Sequence, residues 1–149
     1  MKYSYYEARI KKDTLGRYDI TPLFSSPDVF SNLIKDLSAP FADKKPDKIV
    51  GLDALGFIIG GAMAAHLKIG FVPIRKEGKL PSAKENLLQS SAKDYSNKNV
   101  IFEMNKDSIN EGERILIVDD WIETGSQIKS AISLIEKQGG VIEGISVLF

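Results

Sequence analysis

The sequence predicts an α/β protein, built as a parallel β-sheet with helices on both of its faces. Short apolar runs that end at turn residues alternate with segments in which apolar residues recur at helical spacing. The order strand, helix, strand implies parallel strands joined by right-handed crossovers. A length of 149 residues suits one domain with a core of its own, so we expect residues 1–149 to form a single domain.

The first half of the chain predicts one amphipathic helix and a strand–helix–strand unit. A Ser-Ser-Pro sequence opens the first helix, and apolar residues between Val29 and Leu37 give it one buried face. In the second helix, Gly60 and Gly61 permit close packing against a neighbour. A mixed segment with a turn at Gly16 precedes these elements. The predicted elements are a helix that Pro40 ends, a strand over 49–52, a helix over 57–67 and a strand over 71–74.

The second half of the chain begins with a long polar segment, residues 75–96. We expect an irregular lid or a disordered loop there, because the segment is long for a connection inside a compact domain. Apolar runs then predict three further strands, and residues from Ile128 to Ile135 give one more helix an apolar stripe. A Gly-Gly pair ends that helix. The predicted strands cover residues 100–104, 115–118 and 141–149.

The composition excludes several classes of function. Lys and Arg number 20, and Asp and Glu also number 20, so the net charge of zero disfavours a nonspecific nucleic-acid binder. The absence of cysteine excludes disulfide bonds and thiolate metal sites. The chain does not start with a signal-peptide core, and no apolar run approaches membrane-spanning length. We therefore expect no nucleic-acid or membrane partner and a cytoplasmic location.

One stretch, residues 115–127, carries most of the recognisable chemistry. Its apolar strand ends in two carboxylates, Asp119 and Asp120, and Thr124 and Gly125 then open a helix. Acids at a strand's carboxyl end can accept hydrogen bonds from ribose hydroxyls. The amide N–H groups and the positive dipole at a helix start suit a phosphate. The stretch therefore predicts a sugar-phosphate site; the alternative is a solvated turn followed by a helix cap.

Residues 118–127 resemble the motif with which type I phosphoribosyltransferases bind phosphoribosyl pyrophosphate (PRPP). Both have an apolar strand, two acids, a spacer, and then Thr-Gly with small polar residues. Three further segments, 16–30, 49–67 and 71–81, are similar to the adenine phosphoribosyltransferase branch and occur in the same order. The resemblance implies an enzyme, a pentosyltransferase, with the type I fold and a small N-terminal hood.

The resemblance assigns the sugar and the 5-phosphate of PRPP to the motif itself. Asp119 and Asp120 would accept hydrogen bonds from the ribose 2- and 3-hydroxyls. They would also stabilise the positive charge that develops at the anomeric carbon as pyrophosphate leaves. The family usually has Thr at the position of Gln127, whose side chain can still donate a hydrogen bond. The residues expected to hold the 5-phosphate are Thr124, Gly125, Ser126 and Gln127.

A second segment, residues 53–56, corresponds to the pyrophosphate loop of the family. The amides of Ala54 and Leu55 should face the leaving group. Adenine-specific enzymes usually carry Arg at the position of Leu55, so one cationic contact is missing here. Mg²⁺ is the expected cofactor, chelated mainly by PRPP oxygens and water, without dedicated protein ligands. A basic arm would compensate for the missing contact; it consists of Arg75, Lys76 and Lys79. The alternative is that these residues form only a solvated basic face.

Glu123 leaves the identity of the purine open. Adenine-type enzymes usually have Ala at this position, whereas hypoxanthine-guanine and xanthine enzymes have an acid that manages the proton on N7. Glu123 is therefore a candidate catalytic residue; the alternative is an acid that favours the helix start and points to water. The adenine enzymes place a Glu-Tyr-Gly motif on the lid, and residues 94–96 are the nearest match. Tyr18 is the counterpart of a base-contacting position, with a core residue as the alternative. Trp121 is interpreted as a packed aromatic residue, with a ring that stacks near the base as the alternative.

Together these features predict a purine phosphoribosyltransferase that converts adenine and PRPP to AMP and pyrophosphate in purine salvage. One alternative is an enzyme for a 6-oxopurine, which Glu123 favours. Another is a sensor that binds PRPP or a nucleotide and has lost turnover. PRPP and a purine base are the expected partners. A homodimer is also expected, because in related enzymes the basic arm acts partly across subunits.

Overall fold

A computed structural model of the chain describes residues 3–14, 18–93 and 98–149. The strands are β1 (Lys11–Lys12), β2 (Tyr18–Asp19), β3 (Lys48–Leu52), β4 (Gly70–Lys76), β5 (Leu87–Lys93), β6 (Asn99–Asn105), β7 (Arg114–Asp119) and β8 (Val141–Val147). The helices are α1 (Tyr3–Glu7), α2 (Thr21–Ser25), α3 (Pro27–Ser38), α4 (Leu55–Leu67) and α5 (Ser126–Lys137). Short 3₁₀ turns follow α3 and precede β5, at Ala39–Phe41 and Lys84–Asn86.

Six of the strands form the central sheet, in the order β5-β6-β4-β3-β7-β8. The strands β4, β3, β7 and β8 run parallel, as predicted from the strand–helix–strand pattern. At one edge, β6 pairs antiparallel with both β4 and β5, so the sheet is mostly rather than wholly parallel. The strands β1 and β2 pair with each other as a small N-terminal hairpin.

Helices cover both faces of the sheet, as the sequence predicts. On one face, Ile135 of α5 belongs to the same apolar cluster as Ile117 of β7. On the other face, Met63 of α4 shares a cluster with Leu116 of β7. All four side chains are fully buried. Neighbouring residues of β7 thus pack in apolar clusters on opposite faces of the sheet, because successive side chains of a strand point to opposite faces.

The N-terminal segment packs against α3 and the end of the chain. Tyr6, Ile20, Leu33 and Leu148 are buried in one apolar cluster. The Tyr6 hydroxyl also donates a hydrogen bond to Asp36 Oδ2 at 2.6 Å. These contacts anchor the N-terminal segment, and the Tyr18 ring of β2 stacks on Trp121 just after the carboxyl end of β7, where a hood is expected.

Residues 75–96 contain more regular structure than predicted. β4 extends to Lys76, and β5 occupies the second half of the segment. β5 is an edge strand that buries Leu87 and Ala92 while most of its other side chains are polar and at least partly exposed. A strand that buries so few apolar residues lacks the apolar run from which strands are recognised. The predicted turn at Gly16 and the lid match at 94–96 lie outside the described residues.

The packing of α4 separates its two central glycines. A Cβ atom at Gly60 would lie 2.9 Å from Phe71 Cε2, whereas one at Gly61 would meet nothing within 4 Å. The predicted close approach therefore holds at Gly60 and not at Gly61. The helix begins at Leu55, ahead of the predicted start at residue 57. Within the described ranges, no helix has the length and apolar character needed to cross a membrane.

Candidate active site

Strand β7 brings the two predicted acids to the carboxyl edge of the sheet. It lies between β3 and β8, and its residues from Ile115 to Val118 are fully buried. Asp119 is its last residue, and Asp120 begins the loop that leads to α5. At the end of this loop Gly125 has a φ of +71°, in the left-handed region that glycine adopts without strain. The helix that follows leaves its first N–H groups without an acceptor inside the helix.

The Asp119 carboxyl group is held in an environment that disfavours its charge. Its side chain is buried, with 6% of the residue exposed. Its Oδ1 atom accepts a hydrogen bond from the Asp120 N–H at 2.9 Å. Burial, followed by the hydrogen bond with the Asp120 carboxyl group, raises the pKa of Asp119 to about 8. A strongly shifted carboxyl group beside a cavity is a common feature of functional sites.

A cavity of about 180 Å³ opens between the end of β7 and the start of α5. The loop that bounds it is braced from within, because Thr124 Oγ1 accepts a hydrogen bond from the Ser126 N–H at 3.3 Å. All the residues predicted to bind the sugar, the purine proton or the 5-phosphate line this cavity: Asp119, Asp120, Glu123, Thr124, Gly125, Ser126 and Gln127. Five further lining residues lay outside that prediction: Asp53, Lys93, Trp121, Ile122 and Ile128.

The residues predicted to bind pyrophosphate lie near this cavity without lining it. Asp53 connects them to the cavity. It lines the cavity, and its Oδ2 atom lies 3.4 Å from Arg75 Nε. The peptide bond between Asp53 and Ala54 is cis. Leu55 is the first residue of α4 and packs against the N-terminal apolar cluster. The predicted pyrophosphate-binding residues, none of which lines the cavity, are Ala54, Leu55, Arg75, Lys76 and Lys79.

A buried carboxylate holds the turn of the basic arm. Glu103 of β6 is 2% exposed, and its Oε2 atom accepts a hydrogen bond from the Gly78 N–H at 2.9 Å. Its Oε1 atom accepts a second hydrogen bond from Gln89 Nε2 at 2.8 Å. The arm is closed further by Arg75, whose Nη1 donates to the Lys79 carbonyl at 3.0 Å. Sequence reasoning missed Glu103, although a single acid inside an apolar strand could have marked it.

Three aromatic rings pack together beside the cavity, and Trp121 is the one of them that lines it. The ring centroids of Tyr18 and Trp121 are 5.3 Å apart with an interplanar angle of 24°, and Phe149 lies 5.3 Å from Trp121. The Lys12 ammonium lies 5.1 Å from the Tyr18 centroid. Tyr18 and Trp121 nevertheless remain 48% and 42% exposed. Trp121 is thus packed on its neighbours, as interpreted from the sequence, while also bordering the cavity.

The carboxylates of the cavity do not form a dedicated metal cluster. In the described part of the chain, no group of three or more His, Cys, Asp or Glu side chains is placed to hold a metal ion. Asp119 and Asp120 are adjacent at the cavity. Such a pair can supply one or two oxygen ligands to a Mg²⁺ ion whose other ligands are substrate phosphates and water.

Comparison with known proteins matches these features to one family. The sequence profile of the phosphoribosyl transferase domain matches residues 26–149. An adenine phosphoribosyltransferase of Dinoroseobacter shibae is 43% identical over 130 residues, which are 87% of this chain and 70% of that protein. The structure of adenine phosphoribosyltransferase from Rhodothermus marinus has a TM-score of 0.89 at 34% identity, covering 97% of this chain and 84% of that one. The Saccharomyces cerevisiae enzyme, complexed with D-2,5-dideoxy-2,5-imino-altritol 1,6-bisphosphate and adenine, has a TM-score of 0.81 at 28% identity, covering 96% and 88% of the two chains.

The fold, the cavity and the matched residues define a phosphoribosyltransferase, and the chain belongs to this family of pentosyltransferase enzymes. Within the family, the chain is similar to adenine phosphoribosyltransferases, both in sequence and in structure. The resemblance noted from the sequence is therefore confirmed.

Proposed function

We propose that this chain transfers the phosphoribosyl group of PRPP to adenine, giving AMP and pyrophosphate in cytoplasmic purine salvage. We also propose that residues 1–149 act in this reaction as one domain. The observation that carries the proposal is the single cavity at which Asp119 and Asp120 meet the loop of residues 124–127. Carboxylates beside a helix start suit a ligand that carries ribose hydroxyls next to a phosphate. The choice of adenine follows the relatives at 43–44% identity, which are adenine phosphoribosyltransferases.

The two acids act on the sugar. In the reaction, N9 of adenine forms a bond to C1 of the ribose, the bond from C1 to the pyrophosphate oxygen breaks, and the N9 proton leaves. Positive charge develops on the sugar as that bond breaks. Asp120, and Asp119 once its carboxyl group has lost its proton, accept hydrogen bonds from the ribose hydroxyls and stabilise this charge. Their rigid placement at the end of a buried strand keeps them oriented before substrate binds.

The loop from Thr124 to Gln127 holds the 5-phosphate. The start of α5 offers N–H groups and the positive end of the helix dipole. The Thr124 and Ser126 hydroxyls add donors at the same place. Gln127 contributes through its backbone amide and its side-chain amide.

The pyrophosphate group is held by the amides of Ala54 and Leu55 together with the basic arm. Arg75 is the member of the arm nearest the cavity, because its guanidinium pairs with Asp53. Lys76 and Lys79 supply the remaining positive charge. Mg²⁺ would be chelated mainly by PRPP oxygens and water, and Asp119 and Asp120 are the carboxylates that could add oxygen ligands to it.

The purine base lies against the aromatic rings beside the cavity. Tyr18 contacts the base from the hood, and Trp121 contributes an exposed ring face from the cavity wall. An aromatic face binds a flat heterocycle by stacking, and such a contact contributes on the order of 1 kcal/mol. The base therefore enters between the hood and the residues that hold the sugar.

A second candidate function, transfer to a 6-oxopurine, is favoured by one residue. Glu123 is exposed and lines the cavity, so its carboxylate is available to a bound base. A carboxylate near N7 of hypoxanthine or guanine can accept or return a proton as the base reacts. The same acid could instead favour the start of α5 electrostatically.

One assay separates these functions. The wild type and a Glu123→Gln variant are supplied with PRPP, Mg²⁺ and, in separate wells, adenine, hypoxanthine, guanine or xanthine, and nucleotide formation is measured. We expect AMP to form with the highest kcat/KM, and Glu123→Gln to retain adenine turnover. A higher kcat/KM with a 6-oxopurine, lost in the variant, would establish the second function. Binding of PRPP without any nucleotide product would instead indicate a sensor.

We further propose that the protein acts as a homodimer through the face of α4 that adjoins the basic arm. Ile58 on this face is 44% exposed, on a helix whose other residues are mostly buried or half-buried. The Arg75 guanidinium lies 5.9 Å from the centroid of the neighbouring Phe57 ring, so the arm and this face are continuous. Light scattering should report a dimer for the wild type and a monomer for Ile58→Glu. A monomeric wild type at micromolar concentration would contradict the assignment.

A further inference from the structure

We propose that the Lys93 side chain binds the 5-phosphate of PRPP, an assignment that rests on the proposed function. Lys93 is the last residue of β5 and lines the cavity. Among the cavity-lining residues, all of which lie in the described part of the chain, it is the only Lys or Arg. The Lys93 ammonium is therefore the only side-chain cation among the lining residues, in addition to the positive end of the α5 dipole.

The charge of the cavity wall makes this cation necessary. The other ionisable lining residues are four acids, which include Asp119 with its raised pKa and Asp53, whose carboxylate pairs with Arg75. A phosphate that enters among carboxylates is repelled unless positive charge lies close to it. The basic arm cannot supply that charge at the 5-phosphate, because its nearest member, Arg75, contacts the cavity only through Asp53. The carboxylates of the wall are Asp53, Asp119, Asp120 and Glu123.

The position of the Lys93 backbone assigns it to the 5-phosphate rather than to the pyrophosphate. The Lys93 N–H donates a hydrogen bond to Ser126 Oγ at 3.0 Å. Ser126 is the first residue of α5, and the proposed function assigns the 5-phosphate to the start of this helix. The four-carbon stem of Lys93 therefore starts beside the phosphate loop, and its ammonium can reach a phosphate there. The two ends of PRPP are thus served by different cations, Lys93 at one end and the basic arm at the other.

The bond to Ser126 makes the assignment testable, because it uses only the backbone of Lys93. Replacing the side chain removes the ammonium and leaves the N–H···Oγ bond available. Lys93→Met and Lys93→Gln remove the charge, whereas Lys93→Arg keeps it. Lys84→Met is the matched control, since Lys84 is an exposed lysine in the 3₁₀ turn before β5 and does not line the cavity.

The experiment measures, by titration calorimetry, the binding of ribose 5-phosphate and of Mg²⁺-pyrophosphate to the wild type and to each variant. Each of the two ligands carries only one end of PRPP. We expect Lys93→Met and Lys93→Gln to weaken ribose 5-phosphate binding about tenfold or more, the loss typical of a charged hydrogen bond. Pyrophosphate binding should be unchanged in both variants, and Lys93→Arg and Lys84→Met should bind both ligands as the wild type does. Melting curves confirm that every variant is folded.

Each alternative result has a defined meaning. Unchanged ribose 5-phosphate binding in both neutral variants would overturn the assignment and leave the proposed function standing. A loss confined to pyrophosphate would also overturn it, because Lys93 would then serve the other end of PRPP. A wild type that binds neither ligand would contradict the proposed function itself, and the Lys93 assignment with it.

Discussion

A Cβ atom at Gly56 would lie 3.2 Å from Asp119 Oδ1 and 2.9 Å from the Val118 carbonyl oxygen. The start of α4 therefore touches the carboxylate that is expected to bind ribose. This contact joins the residues proposed to bind pyrophosphate to those proposed to bind the sugar, and it leaves no room for a side chain. Glycine at position 56 is thus required by the site rather than by the conformation of the helix.

We expect Gly56→Ala to destabilise the protein by about 1–3 kcal/mol, because the added methyl group must displace backbone as well as the Asp119 side chain. It should also lower kcat/KM for PRPP by moving that carboxylate. Urea unfolding and steady-state assays measure the two effects. Gly61→Ala is the matched control, because a Cβ atom there meets nothing within 4 Å. We expect it to leave the free energy of unfolding unchanged or to raise it by up to ~1 kcal/mol. Equal stability and activity of Gly56→Ala and Gly61→Ala would show that the contact is unimportant.

The raised pKa of Asp119 predicts a pH dependence of stability. The unfolded chain releases this proton near the ordinary value of 3.8, whereas burial holds it in the folded protein up to about pH 8. Since the folded state binds more protons between these values, the free energy of unfolding falls as the pH rises through this window. The slope is at most ~1.4 kcal/mol per pH unit. Above about pH 8 the Asp119 carboxyl group is ionised in both states, so its contribution to the free energy of unfolding no longer changes with pH.

Asp119→Asn removes this titration while its Oδ1 atom can still accept the Asp120 N–H. We therefore expect the variant to lose less stability than the wild type between pH 5 and pH 8, as measured by urea unfolding at both values. Glu113 and Glu143 do not interfere, because their ion pairs lower the pKa of each and their stabilisation is lost only in more acidic solution. Parallel pH profiles for the wild type and the variant would rule out a titration of Asp119 in this window.

Glu103 is expected to position the basic arm rather than to touch the substrate. Glu103→Gln replaces an acceptor oxygen with an amide group, so one of the bonds from Gly78 and Gln89 is lost. We expect the KM for PRPP to rise about three- to tenfold, the loss expected for a single hydrogen bond, while kcat changes little. Glu77→Gln is the control, since Glu77 is an exposed acid of the same arm. A fall in kcat with an unchanged KM would argue against a positioning role.

Trp121 offers a direct optical test of the base pocket, because it is the only tryptophan of the chain. Adenine stacked on its ring should change its fluorescence with a saturable dose dependence. Trp121→Leu, with a smaller aliphatic side chain, should raise the KM for adenine and leave the KM for PRPP unchanged. Tyr3→Leu alters the same aromatic cluster through Phe149 and should change neither constant. Constant tryptophan emission at adenine concentrations that saturate turnover would place the base elsewhere.

That the residues proposed to bind the sugar and the 5-phosphate line one cavity could be predicted from sequence, because these residues are nearly contiguous. Asp119 and Asp120 end an apolar run, and residues 124–127 start a helix, so local pattern alone brings them together. Most of the parallel core was predictable for a similar reason, since β3, β4 and β7 are centred on short apolar runs. The chemistry of this region is therefore encoded within a short stretch.

The rest of the site depends on contacts between distant segments. Lys93 lies at the end of a mostly polar edge strand, which periodicity does not reveal, and it reaches the cavity only because β5 lies beside the start of α5. Glu103 acts through Gly78, a residue of another segment. Gly60 and Gly61 are equivalent in sequence, yet only Gly60 faces Phe71. Such distinctions require the tertiary structure.

We propose above all that Asp119 and Asp120 form the sugar site of an adenine phosphoribosyltransferase. The most direct test measures AMP formation from adenine, PRPP and Mg²⁺ by the wild type and by the double variant Asp119→Asn/Asp120→Asn, with melting curves for both. We predict that the wild type forms AMP and that the double variant, although folded, forms none above background. Wild-type turnover in a folded double variant, or no AMP from the wild type, would contradict the account.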